Sequence, residues 1–196
     1  AMGLVELSEY EDTVEGLKNY FKLQGKSLKK LDVFISDIID YSRNNRQELT
    51  IEPFDIEGLI YEIFDQFAYL PESHKITRSI SINGLKVVKS DKRRIQMILR
   101  NFISNAINYT AFWKDDQFVQ VKIDHLPNSL NIEVSDNGVG IHEKNLSLIF
   151  DMFFRAYHEK KGSGLGLYIV KEAVEKLGGK IDVASTVDQG STFCVS

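Results

Sequence analysis

The 196-residue chain is short of cysteine: Cys194 is its only thiol. It can therefore form no intrachain disulfide and assemble no cysteine-based zinc site on its own, which fits an expected cytoplasmic location. It contains no apolar run near the ~20 residues of a membrane span, and no charged, apolar and small-residue succession of a secretory leader opens it. Any membrane anchor is expected outside these residues. Ala1 ahead of Met2 reads as a cloning remnant, with natural sequence expected upstream. Basic residues are not in excess: 24 Lys and Arg stand against 28 Asp and Glu, a net charge of −4 that disfavours a general nucleic-acid binder. There are no internal repeats and no low-complexity segment. What is present is ordinary globular material, 43% apolar and 27% charged, enough to bury a sizeable core in one domain with room for an extension.

Apolar periodicity divides the chain in two. Leu7, Tyr10, Val14, Leu17 and Phe21 recur at alternating spacings of three and four, the mark of one helix stripe. After Gly25-Lys26-Ser27, which reads as a turn, a second stripe runs through Leu28, Leu31, Ile35 and Ile38. Residues 1–48 are thus expected to form an α-helical hairpin. Two narrow stripes cannot bury themselves, so residues 3–47 are expected to pair with a second copy in a four-helix bundle. From residue 49 the period changes to alternation, and 49–196 reads as a second domain. Leu49 to Phe54 is strand-like, with Pro53 favouring an edge and Asp55 suited to cap a helix carrying Ile56, Leu59, Ile60, Ile63 and Phe64. Strand patterns follow at 76–83, 86–89, 118–126, 130–136, 180–186 and 191–195, with a long helix from Asp91 to Tyr109. Strands and helices do not alternate strictly. The expected fold is α+β, a two-layer sandwich of one mixed sheet with helices on one face.

Four segments carry chemistry. On the long helix, Asn101, Asn105 and Asn108 share one face at spacings of four and three, although asparagine is a mediocre helix former. An amide oxygen is a hard neutral ligand able to complete an Mg²⁺ shell that already holds phosphate oxygens and waters. Directly after a strand stands Asp136-Asn137-Gly138-Val139-Gly140, an acceptor for an exocyclic amine followed by glycines that admit a flat ligand. Gly162-Ser163-Gly164-Leu165-Gly166 opens a helix and so presents several N–H groups to an anion. It lacks the preceding strand of a dinucleotide fingerprint and the Gly-Lys-Ser/Thr ending of a P-loop. The fourth segment is Gly190-Ser191-Thr192-Phe193.

In this order, with Phe150 to Arg155 between the second and third, the segments resemble the N box, the glycine boxes, the phenylalanine box and the final Gly-Ser-Thr-Phe of sensor histidine kinases. These kinases share a superfamily with gyrase and heat-shock chaperone ATPases. The resemblance implies an ATP-binding catalytic domain at 49–196 that uses ATP and Mg²⁺, behind a dimerisation and phosphotransfer hairpin. It implies Asn105 as the Mg²⁺ ligand with Asn101 in support, Tyr109 against adenine, and Asp136 bonded to the adenine amine. Gly138 and Gly140 would line the adenine pocket, and Thr192 would reach adenine through water. Gly162, Gly164, Leu165 and Gly166 would meet the phosphates.

Three departures mark this sequence. Asn108 and Met152 stand where the family often carries basic residues, leaving Arg155, Lys160 or Lys161 to supply phosphate-neutralising charge. The histidine phosphoacceptor motif is missing, and its place falls upstream of Gly3. His74, His125, His142 and His158 all read as exposed or structural, so no catalytic residue is assigned. The implied function is a protein histidine kinase that passes the γ-phosphoryl to a histidine and then to a response-regulator receiver domain. The 196 residues alone are not expected to phosphorylate themselves. The alternative is an ATP-hydrolysing or conformational module of the gyrase and chaperone type, but there a glutamate typically stands at the position of Asn101, and an amide cannot act as that base. Trp113, Cys194, Phe64, Phe67, Phe102 and Phe193 read as packing residues, and the basic run from Lys86 to Arg94 as a solvated corner.

Overall fold

A computed structural model describes residues 2–8, 10, 13–69, 73–111, 113–126, 129–157 and 162–196. Two helices come first, α1 (Met2–Ser8) and α2 (Val14–Arg46). The second is one continuous helix of 33 residues, so the turn expected at Gly25-Lys26-Ser27 is absent. Nothing at 25–27 forces a break: Lys and Ser are tolerated in helices, and a lone Gly costs only ~1 kcal/mol. The true start signal is Thr13, whose side chain accepts from the Gly16 N–H at 3.0 Å.

The remaining chain forms the expected sandwich. β1 (Ile51–Asp55) pairs antiparallel with β3 (Val87–Asp91), placing Pro53 opposite Lys89 in a two-stranded ribbon. Asp55 caps α3 (Ile56–Gln66) by accepting from Glu57 N at 3.0 Å. The main sheet has the order β2-β4-β5-β7-β6, built from β2 (Thr77–Gly84), β4 (Phe118–Leu126), β5 (Ser129–Asp136), β7 (Gly190–Val195) and β6 (Ile181–Thr186). Only β2 and β4 run parallel; the other three pairings are antiparallel. Alternation along β4 turns Val119, Val121 and Ile123 inward, and Ile132, Val134, Phe193 and Val195 do the same on β5 and β7.

The inner face of the sheet is covered by α3, by α4 (Lys92–Asn108) and by α6 (Gly166–Lys176). Ile98, Leu99, Phe102 and Ile103 of α4 are at most 1% exposed. Phe102 stacks on Phe193 with ring centroids 5.1 Å apart, fixing α4 over β7. A short helix, α5 (Glu143–Leu146), starts the segment between β5 and α6.

The C-terminal half of the long helix α2 is held to this sandwich, from Phe34, whose ring stacks on Phe153, and Asp37, which accepts from Ser163 Oγ, to its last turn. Arg94, 5% exposed, donates to the carbonyls of Asn44 and Gln47 at 3.1 and 2.8 Å and to Asn44 Oδ1 at 2.9 Å, and forms an ion pair with Asp91. Lys176 reaches the Asn44 carbonyl at 2.6 Å, and Arg100 pairs with Asp40 at 2.5 Å. Two packing expectations fail. Trp113 is 67% exposed, its loop lying outside the sandwich, and Arg94 is buried rather than part of a solvated corner.

Candidate functional site

Between α4 and the segment from Gly140 to Gly166 lies a cleft of about 340 Å³. Its floor is the inner end of β5 and β7, its wall the asparagine face of α4, and its outer rim Phe154, Arg155 and Tyr157. The side facing α2 includes Val33 and Asp37.

Asp136 ends β5 opposite Ser191 of β7. Burial pushes its carboxyl up to about 6, against the Gly138 N–H at 2.7 Å, the Ser191 backbone and the charge of Lys114. Lys114 itself donates to the carbonyls of Asn137 and Asp188 at 2.6 and 2.7 Å, so the loop that presents Asp136 is tied down from behind. A half-buried acceptor of this kind suits the exocyclic amine of a base.

Along α4 the three amides are differently engaged. Asn101 donates to its own helix at the Met97 carbonyl, 2.9 Å, which turns its Oδ1 toward α6. Asn108 donates to Ser104 Oγ at 3.1 Å. Asn105, half-buried, makes no side-chain hydrogen bond among the described residues, so it is the one of the three whose whole side-chain amide is uncommitted. No three acidic, histidine or cysteine side chains converge as a metal site among the described residues. The donor set therefore fits a cation that brings most of its shell as phosphate oxygens and waters, with Asn105 adding one ligand.

Two glycines set the spacing of the phosphate end. Gly166 opens α6 so close to Asn101 that a Cβ there would lie 2.4 Å from Asn101 Oδ1. Gly164 has φ +80°, and a Cβ would meet the Phe153 backbone at 2.7 Å. Its carbonyl accepts from Phe153 N at 3.0 Å, joining the phenylalanine segment to the glycine segment. The N-terminus of α6 has no side-chain cap, which leaves its first N–H groups to a ligand.

Of the residues expected from sequence, Asn101, Asn105, Asn108, Tyr109, Asp136, Gly140, Arg155, Gly162, Gly164 and Gly166 line this one cleft. Lys160 and Lys161, like His158, lie outside the described residues. Gly138 and Leu165 sit behind the wall; Gly138 is pressed against the Tyr109 carbonyl rather than open to a ligand. Thr192 is turned away: strand alternation puts it on the outer face of the sheet, bonded to Ser135 Oγ at 2.9 Å, and it is Ser191 that faces the cleft. That one-residue shift was visible in the pattern, since Phe193 must point inward and residues two apart share a face. Tyr109 is pushed up by burial and stands 5.9 Å from Tyr157, whose hydroxyl donates to the Gly140 carbonyl at 2.9 Å. Tyr157 carried no sequence signal beyond lying in an aromatic-rich segment, while Phe154 and Ser163 lie inside the phenylalanine and glycine segments without a role that the sequence assigned to them. Among the other histidines, His142 caps α5 and His125 contacts the Leu85 carbonyl at 2.9 Å.

Residues 90–196 match the family described as histidine kinase-, DNA gyrase B- and HSP90-like ATPase. Cyanobacterial phytochrome B of Nostoc sp. is 33% identical over 84% of the chain and 22% of its own length. The signal transduction histidine-protein kinase BarA of Escherichia coli is 27% identical over 98% of the chain, again 22% of its own length. The chain thus spans about a fifth of each of these relatives. Among solved structures, histidine kinase ThkA in complex with response regulator TrrA has a TM-score of 0.74 at 25% identity, covering 98% of this chain and 55% of ThkA. Full-length ShkA with AMPPNP shares the fold, with a TM-score of 0.73 over 96% of this chain and 40% of that one. The chain belongs to the histidine kinase-, DNA gyrase B- and HSP90-like ATPase family and carries a sensor histidine kinase catalytic domain.

Proposed function

We propose that the chain is the kinase core of a two-component sensor, binding Mg·ATP in the cleft and directing its γ-phosphoryl to a histidine nitrogen. The observation that carries this reading is the pairing, across one cleft, of the half-buried acceptor Asp136 with the free amide of Asn105 beside the uncapped start of α6. ATP with Mg²⁺ supplies the phosphoryl group and offsets its charge. Asp136 and Ser191 orient the base, Tyr109 covers it, and Asn105 and the α6 N–H groups fix the phosphate end; Arg155, and Lys160 or Lys161, add positive charge. Positioning of this kind is most of what phosphoryl transfer needs.

Asn101 argues against the hydrolase alternative, because its amide is bonded to Met97 O and has no basic atom to activate water. From the histidine, the phosphoryl group would pass to an aspartate of a receiver domain, a partner class supported by the ThkA complex with TrrA. A homodimer follows from α2, whose Phe21, Leu28, Leu31, Ile35 and Ile38 are each 42% or more exposed in the single chain. Light scattering is expected to give twice the 22.4 kDa chain mass; a 22.4 kDa particle at high concentration would remove the dimer.

None of the four histidines lies on α1 or α2. Incubated with γ-labelled ATP, the 196-residue chain is expected to gain no acid-labile label. A version extended upstream through a histidine-bearing helix is expected to gain it. Label on the short chain would make one of His74, His125, His142 or His158 an acceptor and contradict this reading.

A further inference from the structure

A second and larger cavity, about 550 Å³, lies at the joint where the end of α2 meets α3 and the first half of α4. It is separate from the nucleotide cleft, and no residue lines both. Four guanidinium groups, from Arg43, Arg93, Arg94 and Arg100, face it against the single carboxylate of Asp40. Arg94 and Arg100 are engaged in ion pairs with Asp91 and Asp40. Arg43 and Arg93 are exposed and have no carboxylate partner among the described residues; Arg93 makes only a 3.3 Å bond to Gln47 Oε1. Asn44, 5% exposed, belongs to the same wall. Its Oδ1 accepts from Arg94 Nε at 2.9 Å, while its Nδ2 is buried with no hydrogen-bond partner among the described residues.

Unpaired guanidinium forks beside a buried, unsatisfied amide donor form an environment suited to oxyanions, since planar N–H pairs match phosphate oxygens. The volume falls within the roughly 300–1,000 Å³ of small-molecule sites. Gln47, Gln66 and Gln96 add amides that both donate and accept, which suits hydroxyl groups carried beside a phosphate. We propose that this joint binds a phosphate-bearing small molecule. Because α2 supplies Arg43 and Asn44 and α4 supplies Arg93, an occupant holds the long helix against the ATP-binding sandwich and stabilises that arrangement by mass action. The site stands independently of what the nucleotide cleft catalyses.

The test is calorimetric titration with two probes, ribose 5-phosphate and inorganic pyrophosphate, with adenosine, which carries no phosphate, in excess to fill the cleft at Asp136. Saturable, equimolar binding of at least one probe is expected. It should weaken roughly tenfold or more in Arg43→Gln/Arg93→Gln, with ADP affinity and circular dichroism unchanged, since both side chains are exposed. Tighter ribose 5-phosphate marks an organic phosphate as the source, and tighter pyrophosphate a free anion. Failure of both probes to saturate, or equal binding to the double variant, overturns the site.

Discussion

Asp136, at the floor of the cleft, works against its own fold. Its carboxyl rises from 3.8 to about 6 because burial disfavours the charge more than the surrounding N–H groups and Lys114 favour it. A raised carboxyl contributes stability that is complete below the unfolded value of 3.8 and is lost as pH rises through about 6. About two pK units of difference correspond to roughly 3 kcal/mol. Asp136→Asn removes the charge but keeps an oxygen for Gly138 N. It is expected to be more stable than wild type by about 1–3 kcal/mol at pH 8, with the difference gone near pH 4. Urea denaturation at the two pH values checks this, and an equal difference at both would show that burial is not what shifts Asp136. At this scale what was legible in the sequence is which residues share one cleft, among them Asn105, Asp136, Gly140, Gly162, Gly164 and Gly166. At Thr192 the resemblance and the strand period disagree, because the two-residue period that buries Phe193 turns Ser191 inward and Thr192 outward.

At the scale of elements, local signals were legible and the joint between elements was not. Asp55 and Asp91 both cap the helices that follow them, Asp91 by accepting from Arg94 N at 3.0 Å, and both were readable as acids ahead of an apolar stripe. The unbroken run of α2 through Gly25 was not readable, because one glycine on an exposed helix is compatible with either a turn or a helix. Nor was Arg94, whose burial depends on carbonyls at Asn44 and Gln47 nearly fifty positions away. Burial raises the Asp91 carboxyl, but N–H groups of Thr50 and Arg94 together with the guanidinium hold it below its usual value. Arg94→Ala would strand that buried carboxylate and release the end of α2 together. Removing one partner of a buried pair typically costs about 3–5 kcal/mol. Thermal or urea denaturation is expected to show a loss of this size, whereas a change below about 1 kcal/mol would mean that Arg94 is not the pin between helix and sandwich.

For the whole molecule, the fold class followed from the change of period near residue 49, since period two and period 3.6 cannot both be satisfied except by a sheet with helices laid on it. The assembled cleft draws on four separated stretches: one face of α4, the end of β5, the glycine-rich start of α6 and the inner face of β7. Their convergence is a property of the sheet order, in which β5 and β7 are neighbours, and it is what turns four weak motifs into one site. The central claim is that this cleft holds Mg·ATP through Asn105 at one end and Asp136 at the other. Titration calorimetry of Mg·ATP into wild type and Asn105→Ala tests it most directly, because Asn105 is half-buried, makes no side-chain hydrogen bond among the described residues and can be truncated without disturbing the fold. Saturable, equimolar binding to wild type that weakens about tenfold or more in the variant, with unchanged circular dichroism, is the predicted result. Equal affinity in the two proteins, or no binding to wild type, would contradict it.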